Sequence, residues 1–242
     1  MSQSSKEGNS VERILFIYRD RNEGHAYALQ ILKGIVKGGL GIYISSFEET
    51  EKIRKSLMTL DKEVSEMEEH GILKIIGSES AANYLEDLLR IEETEKRDFV
   101  PEGSRIYLDV GYKCMKLYEE KLRETPHLNI TLVLGYELGR MKEIDIESFS
   151  RIVKVQDSLL LSFKDGMEAF VEGVESVMCN IFGSVACKTI FDILEQRYHI
   201  KRESIPEEFK AFREALTGLI GKGELITEKM IIEELLTRTR GN

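Results

Sequence analysis

Short apolar runs alternate with longer amphipathic segments along the first two thirds of the chain. "RILFIY" at 13–18, "GIYISS" at 41–46, "ILKII" at 72–76, "RIYLDVGY" at 105–112 and "NITLVLGY" at 129–136 are rich in Ile, Leu, Val and Tyr. That is the pattern of strands buried on both faces. Between them, Tyr27, Leu29, Ile31, Leu32, Ile35 and Val36 recur at helical spacing. The charged stretch 48–71, "SESAANYLEDLLRIEETEK" at 78–96 and "KCMKLYEEKLRE" at 113–124 read as further helices. "DIESFSRIVKVQDSLLLS" at 145–162 reads as a helix with a final strand-like piece. Strands that alternate with helices, without hairpin signals, predict a parallel sheet covered by helices.

After residue 162 the strand-like runs stop. The segments 163–183, 184–198, 206–221 and 227–240 all carry helical periodicity, and Gly183 and Gly221 sit where helices should stop. Phe209, Phe212, Leu216, Leu219 and Ile220 form one apolar stripe. Ser204-Ile-Pro-Glu207 ahead of it has the capping-box pattern. The aromatic pairs Phe209/Phe212 and Phe182/Phe191 are expected in a core or an interface. The predicted fold class is therefore α/β with a mainly parallel sheet, plus a C-terminal all-α domain. The expected divisions are a polar, disordered lead-in at 1–10, an α/β domain at 11–162 and a helical domain at 163–242.

Composition narrows the function classes. At 42% apolar residues over 242 positions, a packed core is expected. The net charge of −9 argues against direct nucleic-acid binding, because an acidic surface repels phosphate backbones. No stretch reaches the roughly 20 apolar residues needed to span a bilayer, and "MSQSSKEGNS" lacks the apolar core of a signal peptide. The expected location is the cytoplasm. Cys114, Cys179 and Cys187 form no CxxC and have no histidine at ligand spacing. They are expected to be free, buried thiols, and no zinc site is expected. His70, His127 and His199 have no recognisable catalytic partner.

"RDRNEGHAYALQIL" at 19–32 lies where a nucleotide-binding chain places its phosphate loop. A working loop reads G-x-x-x-x-G-K-[ST], with backbone N–H groups cradling phosphates, Lys on the terminal phosphates and a hydroxyl on magnesium. Here Gly24 stands at the second glycine, His25 at the lysine and Ala26 at the hydroxyl. The first glycine is missing, with Arg19 and Asp20 in its neighbourhood. Ala26 cannot hold magnesium, and Asp20 and Glu23 would repel a triphosphate. "RDRNEG" itself is expected to be a loop.

The wider stretch "GHAYALQILKGIVKGGLGIYISSFEE" resembles the circadian-clock ATPase (KaiC) type of RecA-like domain. The resemblance places Glu48 and Glu49 at that family's catalytic glutamates and Asp109, ending "RIYLD", at its metal-associated acid. His25, "KGGLGIYIS" and Tyr136 in "LVLGYE" resemble the MEDS family, the methanogen/methylotroph DcmR sensory domain, over residues 11–162. That family is RecA-like and lacks a standard phosphate loop. Its members usually carry a second histidine where this chain has Gln156-Asp157. "IFGSVACKTIFDILEQRYHIKRESIPEEFKAFREALTGLIGKG" is similar to a small helical output domain of archaeal, especially thaumarchaeal, signalling proteins.

These resemblances imply a RecA-like three-layer sensory domain without hydrolysis, coupled to a helical output or interaction module, with transcriptional regulation as one outlet. Two alternatives stay open: a nucleotide-binding protein or weak ATPase, and a structural adaptor that oligomerises. The candidate ligand-contacting residues are Asp20, Gly24, His25, Tyr27, Glu48, Glu49, Asp109 and Tyr136. Each also has a plainer reading. His25 can stabilise the loop, Glu48 and Glu49 can be helix first-turn acids, Asp109 can bond strand-end amides, and Tyr136 can be a packing aromatic. No catalytic residue, metal ligand or cofactor is assigned, and nucleotide is left open. The expected partner is a small-molecule ligand or a signalling protein, and a homo-oligomer is a further option.

Overall fold

A computed structural model describes residues 12–35, 39–90, 101, 103–109, 130–143, 146–154, 156–162 and 164–241. The expected lead-in at 1–10, the helix at 113–124, Cys114 and His127 lie outside the described residues.

The strands are β1 (Glu12–Tyr18), β2 (Gly41–Ser45), β3 (Leu73–Ile76), β4 (Arg105–Asp109), β5 (Thr131–Glu137) and β6 (Ser158–Leu161). They form one sheet of order β3-β2-β4-β5-β1-β6. The pairs β1–β6, β2–β3 and β2–β4 run parallel. The helices are α1 (Arg21–Lys33), α2 (Thr50–Leu60), α3 (Glu63–Glu69), α4 (Ala81–Arg90), α5 (Ile146–Lys154), α6 (Lys164–Phe182), α7 (Ser184–Tyr198), α8 (Phe209–Ile220) and α9 (Glu224–Gly241). This is the α/β class expected from the sequence, with a helical C-terminal region. Among the described residues no helix is long and apolar enough to cross a membrane.

The chain divides into two compact units. One comprises residues 1–12 and 25–133, the other 13–24 and 134–242. In the first unit, Ile42, Ile44, Ile106 and Leu108 are fully buried in β2 and β4, as continuous apolar strands should be. Ile53 and Leu57 of α2 and Val64 of α3 are buried as well. The stretch read as a single charged helix at 48–71 breaks after Leu60, where Asp61 is extended and its side chain accepts the Glu63 amide at 2.9 Å. The guanidinium of Arg105 lies over the last turn of α1 and donates to the Ile31 carbonyl at 3.2 Å, where the negative end of the helix dipole favours a cation.

In the second unit, β1 and β6 pair from Ile14 opposite Ser158 to Ile17 opposite Leu161. Phe170, Phe209 and Phe212 are fully buried, with the Phe170 and Phe209 rings edge to face at 6.0 Å. The expected stripe on α8 is thus a core face. The Ser204–Glu207 capping box is not formed. Helix α8 begins only at Phe209, its preceding residue Glu208 makes no side-chain cap, and the Ser204 hydroxyl donates to the Lys201 carbonyl. The intervening chain closes the sheet edge instead: Leu159 N–H donates to the Pro206 carbonyl at 2.8 Å, and Lys210 N–H to that of Asp157 at 3.2 Å. An otherwise open edge strand is thereby paired.

The expectation of free thiols is overturned for two of the three cysteines: Cys179 and Cys187 form a disulfide, with Cα atoms 4.9 Å apart. Eight residues on a continuous helix would separate them by about 12 Å. Gly183, at φ 78°, reverses the chain between α6 and α7 and brings them together.

Helix α7 ends on exposed His199 in the left-handed region, φ 60° and ψ 22°, with the His199 amide donating to the Leu194 carbonyl. A side chain there costs about 1–2 kcal/mol, partly offset by the greater unfolded-state freedom of glycine. His199→Gly should therefore raise stability by about 0.5 kcal/mol, read as a higher urea midpoint with unchanged slope.

Candidate functional site

The β1–α1 junction is much shorter than a phosphate loop. Strand β1 ends at Tyr18 and α1 starts at Arg21, leaving only Arg19 and Asp20 between them. The reading of "RDRNEG" as a loop is corrected: Arg21 to Gly24 are already helical. The cause is local. Asp20 acts as the N-cap, its carboxylate accepting the amides of Asn22 at 2.8 Å and Glu23 at 3.2 Å, while its carbonyl accepts that of Gly24 at 3.1 Å. Glu23 reaches back to the Arg19 amide at 2.9 Å, completing a box-like cap, and also accepts the Ser162 hydroxyl. The amides that would cradle a phosphate are therefore already bonded, and their main partner carries negative charge.

Gly24 has a packing reason to be glycine. A Cβ there would lie 3.0 Å from Cε2 and Cζ of Tyr18, whose ring is 2% exposed and cannot retreat. Tyr136, in the same unit, is 5% exposed, and its hydroxyl donates to the Arg140 carbonyl at 3.4 Å. Glu137 beside it pairs with Arg140 at 2.9 Å and approaches Arg21 at 3.9 Å.

His25 belongs to the first unit and is buried, at 3% exposure. Its Nε2 lies 3.0 Å from Oε2 of Glu48, and the two side chains are 4% and 14% exposed. Nδ1 is buried without a hydrogen-bond partner among the described residues. The imidazole stands 5.9 Å from the Tyr43 ring, which stands 5.1 Å from that of Tyr107. The parallel register explains why the two tyrosine rings meet, because Tyr43 is opposite Tyr107 and Ser45 opposite Asp109 across β2–β4. Alternate residues share a strand face, so Tyr43, Ser45, Tyr107 and Asp109 line one side. The Ser45 hydroxyl donates to the Asp109 carboxylate at 3.1 Å and accepts the Phe47 amide at 3.2 Å. The Asp109 carbonyl accepts the Ser46 amide at 3.0 Å.

The other two acids and Tyr27 stand differently. Glu49 is exposed, occupies the N-cap position of α2 and makes no side-chain cap bond there. Glu79 instead accepts the Thr50 amide and hydroxyl. Gly77 lets the two segments approach, since a Cβ there would fall 2.1 Å from the Thr50 nitrogen. The Tyr27 hydroxyl feels the charges of Glu12 and Arg105, the first residues of β1 and β4. Burial, followed by Glu12, pushes its pKa up to about 12.

His25, Glu48 and Asp109 are thus gathered in one unit with Tyr43, Ser45 and Tyr107, which the sequence reading did not single out. The repeated "IYIS" and "IYLD" at the ends of β2 and β4 carry that signal, although only the register shows that they lie side by side. Among the described residues no group of three or more His, Cys, Asp or Glu could hold a metal ion.

No family model matches this chain, and no curated protein matches it. Among solved structures, a KaiC-like protein from the hyperthermophilic archaeon Pyrococcus horikoshii is similar at 16% identity and a TM-score of 0.38. The match covers 52% of this chain and 61% of that one. Glucose-6-phosphate dehydrogenase in complex with its substrate is similar at 17% identity and a TM-score of 0.31, covering 76% of this chain and 42% of that one. This chain therefore spans less than two thirds of either structure.

Gly24→Ala should lose about 1 kcal/mol of stability, because crowding against Tyr18 outweighs the helix propensity of alanine. Chemical denaturation reads this directly, and a gain in stability would contradict the packing assignment. Tyr84, half-buried, shares the raised pKa of about 12, again through burial. In the unfolded chain both phenols ionise near 10, so the unfolded state binds fewer protons above that pH. Stability should fall as pH rises from 10 towards 12. Tyr27→Phe and Tyr84→Phe together should flatten that decline in the urea midpoint.

Proposed function

We propose that the chain is a non-hydrolytic sensory protein built on a RecA-derived, MEDS-like domain, with the helical region 163–242 as its output module. The observation that carries this reading is the Asp20 cap on α1. Phosphate binding at such a junction depends on unbonded first-turn amides at a positive helix end. Here Asp20 bonds the amides of Asn22, Glu23 and Gly24. A triphosphate would have to break that cap and approach a carboxylate. The family lysine and hydroxyl are also replaced, by His25 and Ala26. Glu48, the acid that the ATPase resemblance makes catalytic, is bonded to His25, and Glu49 points to solvent exposure at a helix cap.

What the first unit offers a ligand is a buried imidazole–carboxylate pair beside two tilted, neighbouring tyrosine rings and a serine–aspartate pair. Such a set recognises a small, polar, uncharged or weakly charged molecule through hydrogen bonds, with Nδ1 of His25 as the first contact. Signalling then follows from differential affinity for two conformations, since only a ligand that favours one of them shifts the balance.

Calorimetric titration of the full chain with ATP, with and without magnesium, tests the reading. We expect no magnesium-dependent heat and any affinity weaker than about 1 mM. Tight, magnesium-dependent binding would sink the proposal and favour the ATPase alternative. In a thermal-shift screen of polar metabolites, a stabilising compound should act on the native chain and lose its effect in His25→Ala.

A further inference from the structure

Helices α6 and α7 meet at a corner made by Gly183 alone, and the Cys179–Cys187 disulfide spans it. The two sulfurs are placed unequally. Cys187 is 1% exposed, while Cys179 is half-buried and faces the surface more openly. Cys187 sits in the first turn of α7. Its amide makes the opening bond of that helix, to the Gly183 carbonyl at 2.9 Å. The positive end of a helix favours a thiolate in its first turn. The Cys187 Sγ also lies 3.8 Å from the Glu175 carbonyl oxygen on α6. A thiol formed there has an acceptor already in place.

We propose that Cys179 and Cys187 form a reversible dithiol–disulfide site whose reaction partners are dithiols, either small molecules or protein dithiols. In the reductive direction, one thiolate of the partner attacks Cys179 Sγ, the sulfur of the less buried cysteine. The Cys179–Cys187 bond breaks, its electron pair leaves with Cys187 Sγ, and that thiolate takes up a proton. The second thiolate of the partner then attacks its own sulfur in the mixed disulfide and releases Cys179, which is protonated in turn. The partner leaves as a disulfide, having given two electrons and two protons to the protein.

The asymmetry suits exchange: the attacked cysteine is the less buried of the two, and the leaving sulfur sits in the first turn of α7, where the helix end offsets part of the burial that disfavours its thiolate. The pair closes a short loop, at a sequence separation of 8, so the constraint it adds falls on the α6–α7 corner itself. Its effect is local. It clamps the α6–α7 corner, whose outer side carries Val185 at 81% exposure together with Phe182, Ala186 and Ile190. Opening the disulfide would loosen this apolar face.

The test uses the full chain carrying Cys114→Ser, so that only the pair is counted. It is equilibrated without denaturant in mixtures of reduced and oxidised dithiothreitol, alkylated and read by mass spectrometry. Cys179 and Cys187 should gain label together, and oxidised dithiothreitol should reverse the gain. Amides around Gly183 should exchange hydrogen about tenfold faster in the reduced chain. With single cysteines, Cys187→Ser should be capped at Cys179 by oxidised glutathione, and Cys179→Ser should be capped at Cys187 at least about tenfold more slowly. A pair that resists reduction until denaturant is added would be a static cross-link and would overturn the proposal. So would thiols that oxidised dithiothreitol fails to join, equal capping of the two single cysteines, or exchange around Gly183 that ignores the redox state.

Discussion

The carboxylate of Asp20 decides how β1 is joined to α1. By taking the amides of Asn22 and Glu23, it starts the helix two residues after the strand ends. A longer, glycine-lined loop would have left those amides open to a ligand. Once the helix begins this early, Gly24 must sit against the Tyr18 ring, where nothing larger than glycine fits without strain. Capping and packing therefore act together. Asp20, Glu23 and Gly24, which look like remnants of a phosphate loop, each have a structural use of their own.

In the first unit the controlling constraint is the parallel register of β2 and β4. Because Ser45 is opposite Asp109 and Tyr43 opposite Tyr107, the polar ends of both strands and the two rings share a face. His25 stands over that face with its Nε2 bonded to Glu48. A buried imidazole with one nitrogen bonded and the other without a described partner is a costly arrangement for stability alone. That cost is what motivates the proposal that a ligand is recognised at this face and not at the capped helix start. The helical region adds a different chemistry, in which a glycine corner brings two cysteines within bonding reach.

The class of fold was legible in the chain because its cause is local. Runs such as "RILFIY" and "GIYISS" are short, apolar and rich in β-branched and aromatic residues, the mark of buried strands, and the segments after 162 carry helical periodicity. The ends of elements were less legible. Asp20 followed by Glu23 is a cap signal, yet the glycine and charges of "RDRNEG" also read as loop. The two readings differ only in which carbonyls and carboxylates the amides find. At Ser204 the opposite happened: a capping pattern was present, but this segment runs beside β6, where Pro206 bonds Leu159. Pairing the edge strand took precedence over starting the helix early.

The sequence by itself determined the α/β order, the apolar stripe on α8, the helical C-terminal region and the absence of the lysine and hydroxyl of a phosphate loop. These follow from residue type and spacing, which act over a few positions. Only the tertiary structure decided that Glu48 meets His25 while Glu49 stays at the surface, that Tyr27 is half-buried within the charges of Glu12 and Arg105, and that Cys179 bonds Cys187. Each of these depends on strand register or on a chain reversal. Such features join residues that a linear pattern keeps apart, and their energies come from contacts that exist only after the chain has folded.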